Sequence, residues 1–282
     1  MNLRVIQYAD IVAQIKELCL DANCNLPEDV WEALVKAQAD EASPLGQNVL
    51  ETILQNAQIA KEKRMPLCQD TGMVVVFAEV GQDVHIQGGL LSEAVDEGVR
   101  QAYKEGYFRM SVVKDPLERA NTKDNTPAVL HVSLVAGDQL RLIVAPKGFG
   151  SENMSALKML KPAEGVQGIK DFVVKTVSEA GGNPCPPIVI GVGIGGTVEK
   201  AALLAKRAVL REIGSTNPKP HLAELEAELL ELVNLTGVGP QGFGGTQTAL
   251  ALFVETYPTH IAGLPVAVNI NCHVARHVEA TL

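Results

Sequence analysis

The chain has 282 residues, 46% hydrophobic and 20% charged, which excludes a disordered protein and gives enough material for a large core. Its 33 acidic and 24 basic residues leave a net charge of −9, so it has no electrostatic reason to grip nucleic acid, though a local patch could still bind a small anion. No run approaches the roughly 18 apolar residues of a membrane span, and the opening MNLRVIQYADIV lacks a leader layout, so a cytoplasmic protein away from membranes is expected.

The first 64 residues read as helical. Ile11, Ile15, Leu18 and Cys19 share one helical face; Pro27, Glu28 and Asp29 open a second helix; Ser43 and Pro44 open a third, running to about Arg64. Strand patterns then occur near 73–80, around His85, at 129–136 and 139–145, at 187–193 and, as the last strand, at 265–270. The Gly137-Asp138 turn between two of them predicts a hairpin. Helical spacing covers 91–103, 152–161, 166–180, 197–213 and 222–233. Polar loops fill 115–127 and the glycine-rich stretch 237–245. With no repeat and no linker, the chain reads as one α+β domain over 1–282. Its helical part, about 1–64, packs on a mixed core.

The run Gly191-Val-Gly193-Ile-Gly195-Gly196 matches the dinucleotide pattern G-x-G-x-x-G between a strand and a helix. The second parallel strand with its ribose-binding acid is missing, so the run is read as serving packing or a small anion at a helix start. Cys19 and Cys24 lack the further cysteines of a ferredoxin motif, and Cys19 falls on an apolar face. Cys68, Cys185 and Cys272 differ, because each stands at an element end beside Pro, Asn, Asp or His. Three thiolates would leave one position of a metal centre open for substrate, although spacing alone is a weak signal for it and favours plain thiols. His273 and His277, four apart, would share a face of a basic-tipped terminal helix, where zinc is a weaker reading.

Together the segments PLCQDTG (66–72), DPLERANTKDNTP (115–127), KGFGSENMS (147–155), NPCPP (183–187), GIGGT (193–197) and NINCH (269–273) resemble the iron–sulfur class of fumarate hydratases. Specifically, the chain is similar to the α subunit of the two-subunit form, over nearly its whole length. The L-tartrate dehydratase α subunit shares this layout and is the alternative.

The resemblance implies a [4Fe–4S] cluster on Cys68, Cys185 and Cys272, and a small dicarboxylate substrate. It implies substrate contacts from Gln69, Asp70, Arg109, Gly150 and His260, with Asp70 as the acid for the departing hydroxyl. The activity expected is reversible hydration of fumarate to malate. Single-chain relatives continue into a second domain that supplies the base, so a separate β subunit is expected, with α–α pairing in an α2β2 assembly. The reading from another class is a non-catalytic metal- or cluster-binding module, which would need neither Asp70 nor Arg109.

Overall fold

The computed structural model describes residues 3–282 as an α+β fold. In chain order the elements begin β1 (Arg4–Gln7), α1 (Tyr8–Cys24), α2 (Glu28–Asp40), α3 (Pro44–Lys63), β2 (Met73–Gly81) and β3 (Val84–Gln87). Next come α4 (Leu91–Glu105), β4 (Val129–Val135), β5 (Leu140–Lys147), α5 (Phe149–Glu152), β6 (Ala156–Leu160) and α6 (Gly165–Ala180). Last are β7 (Ile188–Gly195), α7 (Val198–Ala208), α8 (Pro220–Asn234), β8 (Ala249–Tyr257), β9 (Leu264–Asn271) and β10 (Val278–Thr281). No helix among the described residues is long and apolar enough to cross a membrane.

The chain divides into two units, and the helices of the first 64 residues are shared between them. The first comprises the chain up to Pro27, Asn56–Phe149 and Arg276–Leu282. Its sheet has the order β10-β5-β2-β4. The almost wholly apolar β2 takes an interior place and is buried along most of its length. Ile11 and Ile15 of α1, Val95 and Val99 of α4, and Val74, Val76, Leu140 and Leu142 of the sheet form its core. The two helices cross closely at Gly98, where a Cβ would fall 2.7 Å from that of Ile15.

The second unit comprises Glu28–Gln55 and Gly150–Ala275, with sheet order β6-β9-β7-β8. Alternation along β7 sends Ile188, Ile190 and Val192 toward a core with α6 and α8 residues such as Val173, Val177, Leu225 and Leu229. Gly191 and Gly193 face the other way, against α7. A Cβ at Gly191 would lie 2.1 Å from the Ala205 carbonyl oxygen, and one at Gly193 2.0 Å from that of Ala201. These glycines of the dinucleotide-like run let a helix lie directly on the strand, as the packing reading expected.

Several expectations are corrected. The 129–136 and 139–145 strands do not form a hairpin: β2 lies between them, parallel to β4 and antiparallel to β5. The Gly137-Asp138 turn instead crosses the end of β2, where Gly81 N–H and Asp83 N–H bond to Gln139 and Gly137 carbonyls. Interior placement suits β2, whose two edges both need partners, whereas β4 has exposed Val132 and Leu134 and suits an edge. The predicted helix at 152–161 is α5 followed by strand β6, because antiparallel pairing with β9 overrides the helical propensity of Ala-Leu-Lys-Met-Leu. The terminal helix is absent: β10 pairs with β5, so β9 is not the last strand and His273 and His277 share no helical face. β1 interrupts the helical N-terminus by pairing with β3, and β8 carries no counterpart among the predicted elements.

The glycine-rich stretch 237–245 ends in a cradle for a carboxylate of the same chain. Glu41, 2% exposed, accepts N–H bonds from Ser43 (2.8 Å), Thr246 (2.9 Å) and Gln247 (2.8 Å). Burial opposes its ionisation, but these backbone donors outweigh it and hold its pKa below the ordinary carboxylate value. A group with a depressed folded pKa contributes stability above its unfolded pKa and loses it as pH falls through the folded one. Glu41→Gln is therefore expected to cost about 2 kcal/mol at pH 7 and to flatten the fall of melting temperature between about pH 5 and pH 3. Thermal unfolding of both proteins across that range checks it; identical pH profiles would refute the cradle.

Candidate active site

In the first unit, residues 66–72 lead from α3 into β2. Cys68 is half-buried; its thiol donates to Gln69 Oε1 at 3.3 Å and receives the Asp70 N–H at 3.4 Å. The Asp70 carboxylate is clamped by main chain: Oδ1 accepts from Gly72 N–H (3.0 Å) and Oδ2 from Phe149 N–H (2.8 Å). Gly72 has φ +77°, and a Cβ there would fall 2.7 Å from the Lys147 carbonyl carbon, so only glycine lets the two strands come this close. Gly148 is also tight, its hypothetical Cβ lying 3.3 Å from Asp70 Oδ2.

Arg109 is brought to the same segment through its backbone, since the Thr71 hydroxyl donates to its carbonyl at 3.0 Å while its side chain is exposed. The 115–127 loop is the bracket. Fully buried Asn125 accepts the Ser111 N–H on Oδ1 (2.7 Å) and donates from Nδ2 to the Gly72 carbonyl (3.1 Å). It thereby ties the stretch after Arg109 to the stretch after Asp70. Asp124 secures the loop by accepting from Arg100 Nε at 3.1 Å and the Thr126 N–H at 3.1 Å.

In the second unit, Cys185 and Cys272 flank one end of the sheet, before β7 and after β9. Cys185 is exposed with φ +56°, and the His273 N–H donates to its carbonyl at 3.3 Å. His273 Nδ1 lies 3.0 Å from that carbonyl and 3.1 Å from Gln241 Nε2, so the ring donates or accepts there according to its tautomer. Gln241 also binds the Pro186 carbonyl through both its backbone N–H (2.7 Å) and its side chain (2.8 Å). Gly150 joins this end: its hypothetical Cβ would be 3.5 Å from the Asn183 carbonyl.

His260 does not share that end. It follows β8, which runs parallel to β7, so it lies beyond the opposite end of the sheet from Cys185 and Cys272, roughly 20 Å of strand away. It is exposed, with Nδ1 accepting the Ala262 N–H at 3.1 Å. The parallel pairing of β7 and β8 sets this placement, which sequence spacing does not reveal.

The five cysteines differ in burial, and Cys24 keeps partial solvent access as Cys68 and Cys272 do. None forms a disulfide. Cys19 is wholly buried, and burial pushes its thiol far up from the ordinary range. Burial also raises Cys24, against the opposing charges of Arg64 and Arg276. Cys68, Cys185 and Cys272 retain solvent access. Among the described residues, no three His, Cys, Asp or Glu side chains are grouped to hold a single metal ion. Sequence reasoning missed Tyr103 and Arg276, both buried, which grip the Asp70–Gly72 backbone from behind. A tyrosine on a helix face and an arginine beside histidines gave no signal of this.

The family model described as fumarate hydratase (Fumerase) matches residues 12–281. A protein of Methanocaldococcus jannaschii named "Putative L(+)-tartrate dehydratase subunit alpha" is 44% identical over 273 residues, 95% of this chain and 94% of that protein. An L(+)-tartrate dehydratase subunit alpha from Escherichia coli is 35% identical, and one from Shigella sonnei 34%, each over 88% of this chain and 82% of its own length.

The bracket leads to a direct expectation. Asn125→Ala leaves the Ser111 N–H without its Asn125 partner and removes one bond from the Gly72 carbonyl, at a cost of about 1–2 kcal/mol. Denaturant unfolding should show this loss, with faster hydrogen exchange at the Ser111 amide. Unchanged exchange there would refute the role given to Asn125.

Proposed function

The chain belongs to the fumarate hydratase (Fumerase) family, and from that premise we propose that it is the α subunit of an iron–sulfur hydro-lyase acting on a four-carbon hydroxydicarboxylate. The observation that carries this reading is the Asp70 carboxylate, held on both oxygens by backbone N–H groups one residue from Gln69 and two from Cys68. A scaffold that only binds a metal has no need of an acid fixed so closely.

The donor set fits a cluster. Three thiols at element ends keep solvent access, soft thiolates suit iron–sulfur chemistry, and the Asp70 N–H already points at the Cys68 sulfur. Cluster thiolates sit on separate irons, so ligands need not crowd around one ion. Cys68, Cys185 and Cys272 would hold it. When bound, a [4Fe–4S] group with three protein thiolates has one iron without a protein ligand and supplies Lewis acidity toward substrate oxygens.

This chain's residues supply the rest of what the reading needs from it. Asp70 delivers a proton to the departing hydroxyl, or takes one from water in the reverse direction, while Gly72 and Phe149 N–H groups fix its orientation. The Arg109 side chain offers a planar fork for a substrate carboxylate, with its backbone anchored by Thr71. Gln69 and the Gly150 backbone contribute polar contacts, and the family resemblance adds His260 to the substrate contacts. The base that removes the carbon-bound proton comes from a β subunit. The relatives' names as alpha subunits support such a partner, and α–α pairing in an α2β2 assembly follows the family resemblance.

We put L(+)-tartrate ahead of malate, a choice supported by the relatives' names, whereas the sequence reading preferred fumarate and malate. Malate and fumarate are the second reading, supported by the description of the family model. Loss of water from tartrate gives the enol of oxaloacetate; loss from malate gives fumarate.

Two experiments test the proposal. Anaerobically prepared α chain should contain iron and sulfide, and Cys68→Ser, Cys185→Ser or Cys272→Ser should each abolish this, whereas Cys19→Ser and Cys24→Ser should not. Full retention in any of the first three would overturn the ligand set. Coexpressed under argon with its β subunit, the chain should convert tartrate to oxaloacetate, and α alone should fall short by a factor of at least about 10². Turnover of malate alone would favour the second reading; turnover of neither would overturn the hydro-lyase assignment.

A further inference from the structure

Three consecutive carbonyls, those of Asp70, Thr71 and Gly72, are each held by a side chain distant in sequence. Arg276 Nη2 donates to the Asp70 carbonyl at 2.7 Å. The Tyr103 hydroxyl serves the Thr71 carbonyl and lies 3.1 Å from that of Gly72, which Asn125 Nδ2 also meets at 3.1 Å. Tyr103 and Asn125 are neutral and fully buried, as structural braces are. Arg276 is the odd member. It is 3% exposed and carries a permanent charge, yet its Nε and Nη1 groups meet no hydrogen-bond partner among the described residues. The nearby α1 residue Asn23, wholly buried, leaves its Oδ1 unpartnered as well. The Arg276 charge is close enough to be felt at both Tyr103 and Cys24.

A buried guanidinium with unmet donors is costly, and an apolar side chain of similar reach would pack there without that penalty. A neutral donor would suffice merely to satisfy one carbonyl, as Tyr103 and Asn125 do for the next two. What the charge adds is strength, since a charge-assisted hydrogen bond is roughly twice as strong as a neutral one. It therefore fixes the plane of the Asp70–Thr71 peptide more firmly than structure alone requires. The carboxyl group then has only its own side-chain torsions left, and the Gly72 and Phe149 N–H groups take those up.

We propose that Arg276 is a positioning residue: through the main-chain carbonyl of Asp70 it holds the carboxyl group in the orientation that proton transfer demands. The assignment rests on the reading of Asp70 as the proton-transferring acid.

The test compares wild type, Arg276→Met, Arg276→Lys and Asp70→Asn in the anaerobic α–β complex, with steady-state kinetics on its substrate, thermal unfolding, iron content and hydrogen exchange. Arg276→Met removes a costly buried charge but also leaves the Asp70 carbonyl without its donor, so its unfolding temperature should stay within a few degrees of wild type. Its kcat should nonetheless fall at least about tenfold with KM within about threefold, as misorientation of one reacting group produces. Exchange at the Thr71 amide should rise, and Arg276→Lys, which keeps a charged donor, should recover part of kcat. Retention of kcat within about twofold in Arg276→Met overturns the proposal, and so does a loss of kcat matched by an equal loss of iron. Should Arg276→Met not fold, Arg276→Lys decides: kcat lowered about threefold with unchanged unfolding temperature and iron supports the role, and unchanged kcat overturns it. Full activity in Asp70→Asn would instead refute the reading of Asp70. An inactive Asp70→Asn beside a normal Arg276→Met would refute the positioning role alone.

Discussion

The antiparallel register of β2 and β5, in which Met73 lies opposite Lys147, is the constraint on which the candidate site depends. It sets the residue before β2, Gly72, beside the residues that follow β5, Gly148 and Phe149. The Asp70 carboxylate then sits between two backbone N–H groups contributed by segments almost eighty residues apart. A slip of one residue would turn every β2 side chain to the opposite face and carry the Phe149 N–H away from Asp70. The burial of Val74, Val76 and Leu142 in the core forbids that slip. Hydrophobic burial, a force without direction, thereby fixes a directional hydrogen bond.

Two glycine-rich stretches illustrate how a ligand-like pattern can be consumed by the fold. Gly191 and Gly193 give their missing side-chain space to the backbone of α7, at separations that no Cβ could tolerate. Gly245 leaves room for the carboxylate of Glu41, whose oxygens lie within 2.7 Å of where a Cβ would be. Both stretches use the properties that make glycine loops good anion binders, close approach and free N–H groups. In the second case the anion belongs to the chain itself.

Family membership and local geometry answer different questions here. The match over residues 12–281 accounts for the fold and the reaction class, while the choice between the hydroxydicarboxylates we propose would turn on a few polar contacts around the reacting carbons. Tartrate and malate differ by one hydroxyl, and a site discriminates strongly against an analogue lacking such a group only when its own buried polar atoms would be left unpaired. Gln69 and Arg109, exposed in this chain, are the polar groups at the Asp70 segment with reach to spare.

Local periodicity and neighbouring residue types alone carry the helices α1–α4 and α6–α8, the strands β2–β5, β7 and β9, and the placing of Cys19 on a packed face. The sequence also marked the Cys68–Asp70 segment, since proline, aspartate and glycine around a cysteine report a constrained turn. What tertiary structure alone decided was pairing and orientation. Which strand lies between β4 and β5, whether Ala156–Leu160 is helix or edge strand, and where His260 falls all depend on partners chosen elsewhere in the chain. The same holds for Arg276 and Tyr103, whose grip on the Asp70–Gly72 carbonyls arises from contacts across long loops. Periodicity records which face of an element is buried but not what it is buried against, and a hydrogen bond between residues two hundred positions apart leaves no trace in either neighbourhood.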